Sequence, residues 1–394
     1  MKRKGLLFVV LALATLSLGA APASQPITIG VLGAMSGSSA SLGKAQQQGV
    51  DLAIAEINAA GGILGRTVKA VYRDDEANPT KSLTAAQELV EKEGIDFLIG
   101  TTNSTPAATV IPFLQDNKIV SVTSIATSNT IIDPAKYPYA FRVFIPNGLQ
   151  ANALVLITKQ RGYKKIALVA DTSALGVDGL AAMVKYCDQY GVKPVTQLTY
   201  TSDDPDMSPV AEGLQRSGAD CALFWTLGAD GAKIVKALER IGYIDKLSIF
   251  GYTGISMTNF SELAGPGASK CTSLGVKDWA VADAKSQLQG RFLDLYNKIV
   301  ARFGPYGTGK RDTNPYHVAS AYDSVMLLKW AIQTAGKTDA DAVKAAIETQ
   351  GTKFQGDFGS SYKFSATDHD GFRPEDLVPV DIADKVNGDL QIRR

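Results

Sequence analysis

Residues 27–63 read ITIGVLGAMSGSSASLGKAQQQGVDLAIAEINAAGGI, and this stretch decides the fold. Residues 27–32 form a short apolar run rich in β-branched side chains, which predicts a buried strand. A Gly/Ser-rich loop, from Met35 to Gly43, follows it. From near Lys44 onward Val50, Ala53, Ile54 and Ile57 recur at helical spacing on one face, and Gly61-Gly62 ends the helix. A strand, a glycine-rich loop and a helix in that order make the repeating unit of a parallel α/β sheet.

The same unit repeats downstream. Strands are expected over 68–72, 95–99 and 119–123, and helices over 79–93 and 104–116. After residues 139–144 the alternation restarts, with helices over 149–161, 176–190, 208–217 and 230–241. Strands over 166–170, 195–200, 221–226, 247–250 and 271–276 lie between and after them. Three helices follow, over 283–303, 316–334 and 339–349, and Asn387-Gly388 marks a closing hairpin. Two successive series predict two doubly wound lobes. Nothing between Phe144 and Leu149 resembles a flexible linker, so the lobes should meet at a hinge. The ligand site is then expected between the carboxyl ends of the two sheets.

Upstream of this, Met1-Lys2-Arg3-Lys4 is a cationic start and residues 6–18 are an apolar run. Ala21-Pro22-Ala23 offers a small-residue cleavage site, so residues 1–23 read as a secretory signal peptide. The run is too short to span a membrane, which takes about 20 apolar residues. No cysteine stands near the cleavage site, so no lipid anchor is expected. The mature chain is read as exported and soluble.

Composition narrows the function. Forty basic side chains against thirty-nine acidic ones give a net charge of +1, without the excess of a nucleic-acid binder. Cys187, Cys221 and Cys271 are an odd set at wide spacing, and no disulfide is expected. With two histidines, His317 and His369, histidine catalysis has few candidates.

Several apparent motifs fail on spacing. Gly37 to Gly43 is one residue too long for a phosphate-binding P-loop, and Ala45 stands where Ser or Thr is required. Asp368-His369-Asp370 reads as a solvated turn, because nothing nearby completes a metal sphere. Asp74-Asp75-Glu76 reads as a solvated loop, since adjacent strand residues alternate faces. No catalytic residue, metal site or cofactor is assigned.

More telling are the ends of the first-lobe strands. Gly100 to Pro106 places hydroxyls at a helix start, with Ser104 or Thr105 as the cap, and Thr123 to Ser128 repeats the arrangement. Free N–H groups at such ends favour an anion. Two of them beside one cleft point to a bound carboxylate.

At these residues the chain resembles the type I periplasmic solute-binding proteins, in their leucine/isoleucine/valine-binding branch. The matching text is Ile29-Gly30-Val31, Met35-Ser36-Gly37, Ile57-Asn58-Ala59-Ala60-Gly61-Gly62-Ile63, Asp74-Asp75, Asn78-Pro79, Ile99-Gly100, Ser104, Thr127 and Ala321-Tyr322-Asp323. The resemblance covers nearly the whole mature chain. It implies two lobes joined by three hinge crossings that close on a small solute and deliver it to the membrane permease of an ABC importer. It also implies a first lobe of residues 24–146 plus 277–351 and a second of 147–276 plus 352–394.

Carried over residue by residue, Ser104 and Thr127 match positions that hold a ligand α-carboxylate, with Thr105 and Ile125 beside them. Leu42 matches a position that packs on the ligand. Leu175 and Leu227 fall where relatives often present tyrosines from the second lobe. Asn147 and Thr253 fall where amino-acid binders place acids that pair with the α-ammonium. A small carboxylate-bearing solute is therefore expected, either branched-chain amino-acid-like or, since neither position supplies a charge, an organic or aromatic acid without an α-amine. Trp225, Tyr252 and Tyr316 are nearby aromatic candidates. The expected protein is a periplasmic monomer that binds without chemistry and has no nucleic-acid partner. Its rival reading is an extracytoplasmic sensor that reports the same solute to a receptor or regulator.

Overall fold

The computed structural model describes residues 25–201, 204–256, 260–306, 312–360, 362–387 and 390–394. The expected signal peptide lies outside them, as does Gly388 of the expected hairpin turn. The first sheet contains β1 (Ile27–Gly33), β2 (Val68–Asp74), β3 (Phe97–Gly100), β4 (Val120–Thr123) and β5 (Ala140–Arg142), in the order β2-β1-β3-β4-β5. Every pair is parallel, with Ile29 opposite both Ala70 and Phe97. All seven residues of β1 are buried, which is why its sequence is continuously apolar rather than alternating. Helices α1 (Ala40–Ala59), α2 (Pro79–Glu91) and α3 (Ser104–Asp116) connect the first four strands. Between β1 and β3 the strand order reverses direction, which opens a crevice at their carboxyl ends.

The second body runs from α4 (Asn147–Gln160) through β6 (Ile166–Asp171), α5 (Ala174–Tyr190), β7 (Thr196–Tyr200), α6 (Ser208–Ser217) and β8 (Cys221–Trp225). It continues with α7 (Gly228–Arg240), β9 (Ser248–Gly251), two short helices α8 (Thr253–Ser256) and α9 (Phe260–Ala264), and β10 (Cys271–Val276). After β11 (Ala280–Val281) the chain returns to the first body with α10 (Gly290–Phe303), α11 (Pro315–Ala335) and α12 (Ala340–Gln350). Buried nearly all round, α11 lies so close to α1 that a Cβ at Gly49 would collide with the Val318 carbonyl. The chain then crosses back as β12 (Leu377–Val386) and β13 (Leu390–Arg393), which pair antiparallel. The second sheet has the order β11-β13-β12-β10-β9-β8-β6-β7.

Two details depart from the sequence reading. The helix expected from residue 283 starts at Gly290, because Asp283 instead accepts hydrogen bonds from the Lys285 N–H and the Ser286 hydroxyl in a local turn. Asp368-His369-Asp370 is not a fully solvated turn: His369 is buried between two partly exposed aspartates. His369 stacks on Phe141 with centroids 4.0 Å apart, and its ring nitrogens lie 2.9 Å from the Ala140 carbonyl and 3.2 Å from Glu348. Phe354, Phe358, Tyr362, Phe364 and Phe372 share one apolar cluster with Ile29, Phe141 and Val325 of the first body. All three cysteines are buried and unpaired. Among the described residues no helix is long and apolar enough to cross a membrane.

Candidate functional site

A cavity of about 310 Å³ opens where the carboxyl ends of the two sheets face each other. Most of the wall is built from residues that follow a strand. The turn from β1 into α1 brings Ser39 and Leu42, the first turn of α3 after β3 brings Ser104 and Thr105, and the loop after β4 brings Ile125 and Thr127. From the second body come Leu175 after β6, Leu227 after β8, and Tyr252 and Thr253 after β9. All of the sequence-predicted set except Asn147 therefore line one space.

The helix start is arranged differently from the expectation. Asn103, not Ser104 or Thr105, flanks α3, and it provides no side-chain cap. Its Nδ2 donates to Ser39 Oγ at 3.1 Å and its Oδ1 accepts from Thr102 Oγ1 at 2.9 Å. Pro106 has no N–H to offer. The amides of Ser104 and Thr105 thus open the helix with no side chain capping them, at its positive end. The second expected helix end is not a helix. Ser128 receives the Thr130 N–H at 3.3 Å and begins a single 3-10 turn, Asn129–Ile131, too short to carry an appreciable dipole. Its loop serves the site in another way. The Thr127 and Ser128 N–H groups donate to Ser104 Oγ at 3.3 and 3.2 Å, so the Ser104 proton is left to donate elsewhere.

Asn147 is a correction. Its Nδ2 donates to Asp178 Oδ2 at 2.7 Å and to the Leu175 carbonyl at 3.4 Å, behind the wall rather than in it. Thr253 lines the cavity, but its N–H and hydroxyl both donate to Gln150 Oε1, at 2.9 and 2.8 Å. The one carboxylate among the described wall residues is Glu76, paired with Lys81 at 2.7 Å. Its neighbours are structural. Asp75 accepts the Ala77 N–H and the Ser82 hydroxyl. Asp74 accepts the Met35 and Ser36 amides and the Ser36 hydroxyl. Against the pull of burial, those bonds hold its carboxyl below the ordinary range.

Sequence reasoning missed His317 and Phe144, which also line the cavity with ring centroids 5.7 Å apart. His317 comes into view only because α11 returns to the first body. Burial takes its imidazole down to about 3, so it is neutral near pH 7. Of the aromatic candidates, Tyr252 is in the wall, Trp225 stacks behind it at 4.7 Å, and Tyr316 sits in the core beside Trp279. The resulting space mixes apolar side chains with hydroxyls from both bodies, and no lysine or arginine is among its described lining residues.

Residues 26–385 match the family profile described as periplasmic binding protein. The chain is 28% identical over 328 residues to the Leu/Ile/Val-binding protein homolog 3 of Brucella melitensis, covering 83% of this chain and 84% of that one. A type 1 periplasmic binding protein from Bordetella pertussis superposes with a TM-score of 0.81 at 21% identity, over 94% of this chain and 99% of its own. An ABC-transporter solute-binding protein from Rhodopseudomonas palustris, solved with p-hydroxybenzoic acid, superposes at 0.79 with 22% identity, over 94% and 96%. With its two doubly wound bodies and a cavity at their facing strand ends, the chain belongs to the type I periplasmic binding proteins, in the leucine/isoleucine/valine-binding branch.

Proposed function

We propose that this chain is the exported, periplasmic solute receptor of an ABC importer, and that it takes a small carboxylic acid without an α-ammonium. An aromatic or branched aliphatic acid fits the apolar walls. One observation carries the ligand class: the one carboxylate among the described wall residues, Glu76, already has Lys81 as its partner, while Asn147 and Thr253 present no charge. An enclosed ammonium without a counter-charge meets a desolvation penalty of several kcal/mol. A micromolar complex is worth only about 8 kcal/mol in all.

In this reading Ser104, Thr105 and Thr127 receive the carboxylate. Leu42, Ile125, Leu175 and Leu227 hold the hydrocarbon part, and Thr253 closes over it from the second lobe. Asn147 supports the wall through Asp178. The lobes are residues 24–146 plus 277–351 and 147–276 plus 352–394, except that the packing of Phe354 to Phe372 argues for counting that segment with the first. Binding involves no bond making. His369 is committed to Ala140 and Glu348, and His317 is held neutral, which supports a receptor over an enzyme. The solute-binding protein crystallised with p-hydroxybenzoic acid is consistent with this ligand class. Closure of the lobes then creates the form that a permease recognises.

Purified protein is unfolded and the released small molecule identified by mass spectrometry, with calorimetry on benzoate, 4-hydroxybenzoate, leucine and valine beside it. An acid without an amine is expected from both. Tight binding of leucine or valine and none of the simple acids overturns the ligand class.

A further inference from the structure

Among its described residues the cavity proposed for the carboxylate carries no lysine or arginine, yet a fully buried cation stands behind its wall. Arg142 ends β5 with its side chain completely buried. Its Nη1 donates to the Ser128 carbonyl at 2.8 Å and the Ala126 carbonyl at 3.4 Å, the two peptide oxygens that bracket Thr127. Its Nε donates to Asp370 at 2.7 Å, and its Nη2 is buried with no acceptor. The side chain of Asp370 is 21% exposed, so water screens that charge more than it screens the guanidinium.

The peptide between Ala126 and Thr127 therefore has its oxygen on Arg142 and its N–H on Ser104 Oγ, at 3.3 Å. Ser104 accepts that N–H together with the Ser128 N–H, and both Ser104 and Thr127 line the cavity. Hydrogen bonds in series polarise one another in a low-dielectric setting. A cation at the carbonyl end makes the Thr127 N–H a stronger donor, and the Ser104 hydroxyl that accepts it becomes a stronger donor itself.

We propose that Arg142 is the electrostatic source of the carboxylate site, acting through the Ala126–Ser128 loop and the Ser104 hydroxyl without touching the solute. It is a positioning residue, and the claim rests on the carboxylate reading above. Keeping the charge outside the cavity leaves the site selective for a proton acceptor, and no side-chain cation has to be desolvated afresh when the solute arrives.

The test compares benzoate with benzamide, alike in shape and unlike in charge, by calorimetry on the wild type, Arg142→Gln and Asp370→Asn. Arg142→Gln is expected to weaken benzoate about tenfold more than benzamide, the weight of roughly one charge-assisted hydrogen bond. Asp370→Asn removes the neutralising charge, keeps the side chain's shape, and is expected to tighten benzoate relative to benzamide. That arm decides the matter if Arg142→Gln does not fold. Equal losses for both probes in Arg142→Gln, with no relative gain in Asp370→Asn, overturn the proposal and leave the pair as scaffold. Should the wild type bind leucine and neither probe, the amine-free reading fails instead. The same variants measured on leucine and leucinamide then decide the role of Arg142.

Discussion

Asn147 Nδ2 meets Asp178 Oδ2 at 2.7 Å, and that carboxylate also accepts the Asn129 N–H at 2.8 Å and the Asn129 side-chain amide at 3.1 Å. Asp178 on α5 thus ties the start of α4 to the loop that carries Thr127. The side chain whose alignment suggested an ammonium contact is a strut. Asn147→Ala is expected to lower stability by about 1 kcal/mol through the loss of one donor to the half-buried Asp178 carboxylate, which keeps its two bonds from Asn129. The ratio of leucine to benzoate affinity should not change. Urea denaturation and calorimetry check the two halves, and a shift of that ratio toward leucine or away from it would contradict the assignment.

Ser104→Ala removes an acceptor from two buried amides and a donor from the cavity. Benzoate affinity is expected to fall by about tenfold or more, with a lower melting temperature from the unsatisfied Thr127 and Ser128 N–H groups. Calorimetry and thermal unfolding on the same samples read both effects. A variant with unchanged benzoate affinity would remove Ser104 from the site.

The buried imidazole of His317 makes a pH prediction with a definite sign. Its folded value lies near 3, lowered by burial from 6.5. Between those values the unfolded chain binds more protons than the folded one. Stability is therefore fully present above pH 6.5 and is lost as the pH falls toward 3, by up to about 1.4 kcal/mol per pH unit. His317→Phe should flatten this slope when urea midpoints at pH 7 and pH 5 are compared with the wild type. Identical slopes would show that His317 titrates normally.

Gly43 owes its identity to contact rather than to backbone freedom. It sits in the first turn of α1, where a Cβ would strike the Ala34 carbonyl and come 2.7 Å from the Met35 nitrogen. Gly43→Ala is expected to cost roughly 1–3 kcal/mol by overpacking. It should also weaken benzoate, because Ser39 and Leu42 shift with the start of α1. Unchanged unfolding and binding would mean that the loop yields freely.

The periodic parts of the fold were legible in the sequence. The strand over 271–276 and the helices over 104–116 and 208–217 fall on the residues read for them, because buried strands and one-faced helices impose their period on side-chain choice. Polar residues were less legible. His369 and Asp370 read as turn residues until β5 brings Phe141 and Arg142 against them from more than 200 positions away. Asn103 reads as ordinary until Ser39 and Thr102 engage its side chain and leave α3 uncapped. His317 reads as one face of a late helix until α11 docks on α1. In each case the missing information is a long-range partner, which local spacing does not encode.

Tyr252 faces the cavity, and the indole of Trp225 lies flat behind it, 4.7 Å away and tilted by 11°. A Cβ at Gly179 would collide with that indole, so α5 fixes the ring from its far side. The protein thereby carries its own optical gauge. A solute that settles against the phenol is expected to alter the surroundings of this buried tryptophan, so the emission of the unlabelled receptor, which sums Trp225 with Trp279 and Trp330, should change on occupancy.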